Sequence, residues 1–233
     1  MTMKESAARA AVALVEDGMA VGLGSGSTAN FAIRALGERV RNGLRITGVP
    51  ASGESHRIAQ ESGIPLLSDP PLSGLDIVID GADEVDPQFN LIKGGGGAMV
   101  RERLVAEAGR RVVTIVDSAK LVDTLGAFPL PVAVLPFGAK RTQALLSAYG
   151  GNPRFRVRDG KKYVTDDGLF VIDLDCGAIP DPKALHAAIR LLPGVVDTGL
   201  FVNLTSDVFV GHPDGKVEHF LANDRPAPWR QTA

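Results

Sequence analysis

Along the first half of the chain, short apolar runs alternate with stretches whose apolar residues recur at helical spacing. The runs are "MAVGLG" (residues 19–24), "LRITGV" (44–49), "LDIVID" (75–80) and "RRVVTIVD" (110–117), and each predicts a buried strand. Between them, "STANFAIRALGERV" (27–40), "SGESHRIAQESG" (52–63, opened by Ser52) and "GAMVRERLVAEAG" (97–109) predict helices. The opening stretch "MTMKESAARAAVALVEDG" reads as an amphipathic helix. Buried strands alternating with helices indicate a parallel sheet covered on both faces.

The pattern changes after "FPLPVAVLPF" (128–137). From there the chain predicts strand (132–135), helix (140–149), strand (154–157), strand (168–174), helix (182–192) and strand (195–200). That β-α-β-β-α-β order is the split, ferredoxin-like arrangement. The second of these helices carries its own punctuation, with Asp181 as N-cap, Pro182 at the first helical position and Gly194 beyond the end. "SDVFVG" and "KVEHF" predict final strands that return to the first sheet, and the tail from residue 223 reads as loosely ordered, with Trp229 as its anchor. The expected fold is α/β: a doubly wound, mostly parallel, Rossmann-like sheet with a smaller ferredoxin-like α+β domain inserted near the C-terminus. The expected boundaries are 1–129 with 204–233 for the first domain and 130–203 for the second.

Composition narrows the partners. The 233 residues are 45% hydrophobic and 22% charged with a formal net charge of −2, which gives no support to a nucleic-acid or membrane partner. Cys176 is the single cysteine, so no intramolecular disulfide forms; it reads as a buried structural thiol in a reducing compartment. Glu5, Glu16 and Asp17 argue against a signal or transit peptide, and no apolar run reaches membrane-spanning length, so a cytoplasmic protein is expected. His56, His186, His212 and His219 show no metal-ligand spacing and are expected on surfaces.

Three loops leave strands at the carboxyl edge, where open α/β sheets bind ligands. The first, "GLGSGSTAN" (22–30), pairs glycines with a helix start near Ser27 or Thr28; Ser25, Gly26, Ser27 and Thr28 suit a phosphate. The bland alternative is a Gly/Ser turn with a plain N-cap. Gly24, Gly26 and Ala29 match the loose dinucleotide pattern, but the next strand ends in "GVPAS" without the ribose-binding acid, and no G-K-[ST] follows. The second loop, "DGADEVD" (80–86), places Asp80 and Asp83 at one crevice. Glu84 and Asp86 are expected to be solvated, and a Mg²⁺ site or a wholly solvated acidic turn compete with this reading. The third, "KGGGGA" (93–98), joins Lys93 to bare glycine amides at a helix start, as a second anion nest or as a simple hinge.

On the helix that follows, at ~100° per residue, Glu102 falls amid the apolar arc of Ala98, Met99, Val105 and Ala106, while Arg101, Arg103 and Glu107 lie outside it. A carboxylate among apolar neighbours has a raised pKa, which is what a general base needs near pH 7. A phosphate cradle, a buried base, and a lysine with amides suit proton transfer between adjacent carbons of a sugar phosphate. Asp80 is expected at the ring oxygen and anomeric hydroxyl, with Asp83 and Lys93 at O1 and O2 of a cis-enediolate.

"GLGSGSTA", "IDGADEVD", "KGGGGA" with the following "RE", "DSAK", "FPLPVAVLPF" and "PGVVDTGLF" resemble, in order, the type A ribose-5-phosphate isomerase family, over residues 3–217. The resemblance implies interconversion of D-ribose 5-phosphate and D-ribulose 5-phosphate in the non-oxidative pentose phosphate pathway. It implies no metal or other cofactor, and a homodimer or homotetramer. It assigns Glu102 as the base, and Ser25, Gly26, Ser27, Thr28, Asp80, Gly81, Ala82, Asp83, Lys93, Gly94, Gly95 and Gly96 to the substrate site. Lys120 joins them from "DSAK", and Lys4 is placed at the phosphate by spacing. Ser25 stands where many relatives carry threonine, which keeps the hydroxyl. A sugar-phosphate-sensing module and related amino-sugar phosphate deaminases or CoA transferases are the alternatives. Against them stand the absence of a helix-turn-helix or basic patch, the lack of a histidine near the acidic loop, and a buried base that a sensor does not need.

Overall fold

The structure, a computed structural model, describes residues 1–225; Trp229 lies outside the described residues. The chain opens with α1 (Met3–Val12), β1 (Ala20–Leu23), α2 (Ser27–Arg41), β2 (Thr47–Pro50), α3 (Gly53–Glu61) and β3 (Ile77–Asp80). Two short strands follow, β4 (Glu84–Val85) and β5 (Leu91–Ile92), then α4 (Met99–Glu107) and β6 (Val112–Asp117). The second half holds β7 (Leu130–Val134), α5 (Ala139–Leu146), β8 (Gly151–Phe155), β9 (Val157–Arg158), β10 (Lys161–Lys162) and β11 (Phe170–Asp175). It ends with α6 (Pro182–Arg190), β12 (Val195–Thr198), β13 (Leu200–Phe201), β14 (Asp207–Gly211) and β15 (Val217–Leu221).

Six strands form the main sheet in the order β15-β14-β6-β3-β1-β2, all parallel except the edge strand β15. The last two strands thus return to the first sheet, as their position in the sequence suggested. A second, antiparallel sheet runs β12-β7-β11-β8, and with α5 and α6 it follows the expected β-α-β-β-α-β order. The hairpin β9–β10 interrupts that order, and a third sheet, β13-β5-β4, links the two halves. Neither was foreseen, because two-residue strands carry no periodicity. Leu200 and Phe201, inside the segment 130–203, pair with Ile92 and Leu91 outside it.

Local signals account for the helix starts. Ser52 accepts a hydrogen bond from the Ser55 amide in a reciprocal capping box, and Asp181 accepts from Ala184 N ahead of Pro182. Successive strand residues face opposite sides, and this parity places the chemistry. In β3, Ile77 and Ile79 join the cluster beneath α1, α2 and α3, while Val78 joins the one against α4. Asp80 shares the parity of Val78 and so points toward α4. Gly22 keeps α4 close to the sheet, since a Cβ there would lie 2.6 Å from Val105 Cγ1. Among the described residues no helix is long and apolar enough to cross a membrane.

Candidate active site

Parallel register sets Leu23 beside both Pro50 and Ile79, and Asp80 beside Thr114, so the loops after β1, β2 and β3 emerge side by side. A cavity open to solvent, about 520 Å³ with its mouth included, lies at that edge. The sequence-predicted residues of the loops after β1, β3 and β5 line it, together with Glu102, Lys4 and Lys120. Asp80 alone among them does not.

One pole of the cavity is built for an anion. Gly26 has φ +95°, which favours glycine, and it starts α2 without any side-chain cap. The first amides of a fifteen-residue helix therefore point outward unpaired. Around them stand the hydroxyls of Ser25, Ser27 and Thr28. Lys4 Nζ donates to Ser27 Oγ at 2.9 Å, and Lys120 lies on the same wall. Lys4 gets there because α1 begins hard against the end of β14: a Cβ on Gly211 would sit 1.9 Å from the Met3 carbonyl oxygen.

The other pole is a buried charge cluster. Lys93 Nζ lies 3.0 Å from Asp80 Oδ2 and 3.1 Å from Glu102 Oε1, and donates to the Gly81 carbonyl at 2.5 Å. Three N–H bonds meet three acceptors, so Lys93 is fully engaged within the protein. Asp80 is likewise occupied: its Oδ1 accepts from Ser25 N at 3.0 Å and Gly81 N at 2.7 Å. This is why Asp80 lies beneath the cavity rather than on its wall. Gly24 permits the arrangement, as a Cβ there would fall 2.1 Å from Asp80 Oδ1. Asp83 does line the cavity, with Oδ2 accepting from Gly95 N at 2.7 Å.

Glu102 sits on the buried face of α4 with Met99, Val105 and Ala106, as the helical spacing required. Burial pushes its pKa up, Lys93 opposes the rise, Asp80 and Asp83 add to it, and the outcome is about 8. For Lys93, burial pulls downward, but the Asp80 and Glu102 carboxylates outweigh it and hold the ammonium charged. Glu102 Oε2 is buried and has no hydrogen-bond partner among the described residues. An unpaired carboxylate oxygen beside a cavity is free to take a proton.

The model for ribose 5-phosphate isomerase A (phosphoriboisomerase A) matches residues 47–215. The chain is 48% identical to the ribose-5-phosphate isomerase A of Chloroflexus aurantiacus, over 96% of this chain and 95% of the relative. The chain belongs to the ribose-5-phosphate isomerase A family. Another member, from Thermomicrobium roseum, is 50% identical over 91% of each chain. Among solved structures, the family member from Methanocaldococcus jannaschii superposes with a TM-score of 0.87 at 39% identity, covering 94% of this chain and 98% of that one. A D-ribose-5-phosphate isomerase solved in complex with phospho-erythronic acid superposes with a TM-score of 0.90 at 36% identity, covering 94% and 97%.

Several residues depart from what the sequence led us to expect. Glu84 and Asp86 are buried, not solvated. Glu84 accepts from Gly126 N and Phe128 N, and Asp86 from the backbone and side-chain amides of Asn90 and from Gln88 N. Both acids brace turns: Glu84 does so through distant backbone that the local sequence does not reveal, Asp86 through its own turn two and four residues on. His186 is half-buried against Thr198 Oγ1, and burial lowers its pKa. Cys176 is free and half-buried, and burial raises its thiol to about 11. Among the described residues no group of three or more His, Cys, Asp or Glu could hold a metal ion. Ser52 does more than cap α3: it accepts a hydrogen bond from Ser25 Oγ at 3.0 Å. Adjacency of β1 and β2 was the available signal for that contact.

Proposed function

We propose that this site interconverts D-ribose 5-phosphate and D-ribulose 5-phosphate through a cis-enediolate. The phosphate binds at the α2 N-terminus, held by Ser25, Ser27 and Thr28 and by the charges of Lys4 and Lys120. Asp83 relays the anomeric hydroxyl proton to the ring oxygen as the furanose opens, a task first expected of Asp80. Glu102 Oε2 then takes the proton from C2, the electron pair moves to the carbonyl, and the same oxygen returns the proton to C1 as O2 becomes the carbonyl. The hydroxyl proton passes from O2 to O1 by way of Asp83. Asp80 and Lys93 do not touch substrate directly in this scheme; Asp80 fixes Lys93, and Lys93 orients Glu102 and supplies positive potential to the enediolate oxygens.

The observation that carries the reading is Glu102, with one oxygen tethered to Lys93 and the other unpaired at the cavity. The relative solved with phospho-erythronic acid lends support, since that molecule joins a phosphate to a carboxylate that resembles a planar enediolate. No step calls for a metal or organic cofactor. Production of ribulose 5-phosphate from ribose 5-phosphate, unchanged by EDTA, is the expected result. Absence of product overturns the reading, and loss of activity in EDTA returns a metal to the acidic loop.

The lone cysteine supports a reducing, cytoplasmic setting. Residues 130–203 act in this reading as a domain bracing the site built by 1–129 and 204–233. Exposed Leu72, Leu104, Phe137 and Leu191 support a homodimer or homotetramer, which sedimentation would detect and a monomer at micromolar concentration would refute.

A further inference from the structure

The glycine loop after Lys93 is held from behind by the small sheet. Arg156, between β8 and β9, forms a bidentate pair with Asp173 of β11, at 3.0 and 2.5 Å. Its remaining nitrogen, Nη1, donates to two carbonyls of the loop, Gly94 O at 2.6 Å and Gly95 O at 3.0 Å. The guanidinium is mostly buried, and its own backbone is fixed by Arg156 N to Val171 O and Tyr163 N to Arg156 O, each 2.8 Å. Tyr163 adds a bond from its hydroxyl to Gly96 O at 3.2 Å.

A trans peptide is planar, with its C=O and the following N–H pointing in opposite directions. Pulling the Gly94 and Gly95 carbonyls toward Arg156 therefore turns the Gly95 and Gly96 amides the other way, toward the cavity. The Gly95 amide meets Asp83 Oδ2. The Gly96 amide has no partner among the described residues, and Gly96 lies on the cavity wall. The Gly97 amide closes a turn on Gly94 O at 3.0 Å within the loop. A glycine run has little conformational preference of its own, however, and the Gly95 carbonyl, whose peptide carries the Gly96 amide, is held from outside by Arg156. A cation on the two carbonyls also polarises both peptide units and strengthens their N–H dipoles.

We propose that Arg156 is a positioning residue for catalysis: through the Gly94 and Gly95 carbonyls it aims the Gly96 N–H at the enediolate oxygen and sets Asp83 beside it. The inference rests on the isomerase reading above. Asp173 neutralises the guanidinium, so Arg156 acts through orientation and local polarisation rather than by adding net charge to the site.

The test compares wild type with Arg156→Met and Arg156→Lys in turnover of ribose 5-phosphate and in inhibition by phospho-erythronic acid and by inorganic phosphate. Arg156→Met is expected to lose about tenfold to a hundredfold in kcat. Affinity for phospho-erythronic acid should weaken in parallel, while affinity for inorganic phosphate, which reports only the far pole, stays within about twofold. Arg156→Lys keeps the charge but cannot span both carbonyls and Asp173, so it should fall between the two; it replaces Arg156→Met if that variant fails to fold. Variants matching wild type in kcat and in phospho-erythronic acid affinity overturn the inference, as does an equal loss of inorganic phosphate binding, which would mean general disruption. A wild type that neither turns over ribose 5-phosphate nor binds phospho-erythronic acid overturns the isomerase reading itself, a distinct result.

Discussion

At Glu102 burial and a neighbouring cation pull in opposite directions. One ammonium, Lys93, is shared by two carboxylates in a space with almost no water: the three side chains are 4%, 9% and 6% exposed for Lys93, Asp80 and Glu102. Full ionisation would leave a net negative charge buried, so Glu102 keeps its proton up to about pH 8. Only its ionised form can accept the C2 proton. Forward kcat/KM should accordingly rise with pH through about 8 and then level off, and a profile flat between about pH 6 and 9 would remove Glu102 as the base. Stability moves the other way. The folded-state pKa exceeds the ordinary value of 4.5, so from 4.5 up to about 8 the unfolded chain gives up a proton that the native state retains, and stability falls as pH rises. Glu102→Gln should abolish turnover by orders of magnitude and yet raise stability by about 1–3 kcal/mol near pH 8, after allowing for a buried amide without a partner. The gain should shrink toward pH 4.5 in urea titrations; a variant less stable than wild type at pH 8 would contradict this account. Glu102 was legible in the sequence because helical spacing alone places it on the buried face of α4 with Met99, Val105 and Ala106. Asp80 was only half legible: its identity as a strand-end acid and its bond from Gly81 N are local, but its other donor, Ser25 N, comes from the loop after β1.

The elements divide the labour of shaping the cavity, and α1 is the least obvious contributor. Its buried face of small residues, Ala7, Ala8 and Ala11, lets it lie close on the sheet, and its first turn reaches the start of α2 through the bond from Lys4 to Ser27. Lys4→Ala should raise KM for ribose 5-phosphate about tenfold with a much smaller effect on kcat, the mark of a contact made equally in ground and transition states. Gly211→Ala should reproduce that effect from a distance, since the added Cβ would strike the Met3 carbonyl and lift the helix start. Steady-state kinetics on both variants check the link; an unaltered KM in Lys4→Ala would take α1 out of the site. The strands and helices of the main sheet were legible because apolar runs, caps and glycines mark each one locally. The strands β4, β5 and β13 were not, because each is two residues long and exists only through its partners. Arg156 escaped notice for the same reason: nothing in "RFRVRDG" says that its guanidinium will meet a glycine loop some sixty residues earlier.

At the scale of the whole molecule the two halves share more than a boundary. The cluster against α4 mixes Val78, Val112 and Val208 of the large sheet with Ala133 and Val171 of the small one. Arg103, next to Glu102 on α4, fastens the halves together: it pairs with Asp197 at 2.5 Å, donates to the carbonyls of Thr198 and Leu200, and lies 4.2 Å over the Phe201 ring. Asp197 is 3% exposed and has Arg190 as its other cation, so removing Arg103 would strip a buried carboxylate of its better partner and take a donor from two carbonyls. Element order in the sequence suggested two halves, yet it could not show this clasp, which joins residues some ninety positions apart. Shared core and clasp together imply that the chain unfolds as one cooperative unit, despite its two main sheets. Calorimetry on the wild type should give a single transition with equal calorimetric and van't Hoff enthalpies. Arg103→Ala should lose about 2–4 kcal/mol and, by loosening α4 against β12 and β13, also lower kcat, because the oxygen of Glu102 moves with the helix. Two resolved transitions in the wild type would show that the sheets fold separately, and the clasp would then be a contact between independent bodies rather than part of one core.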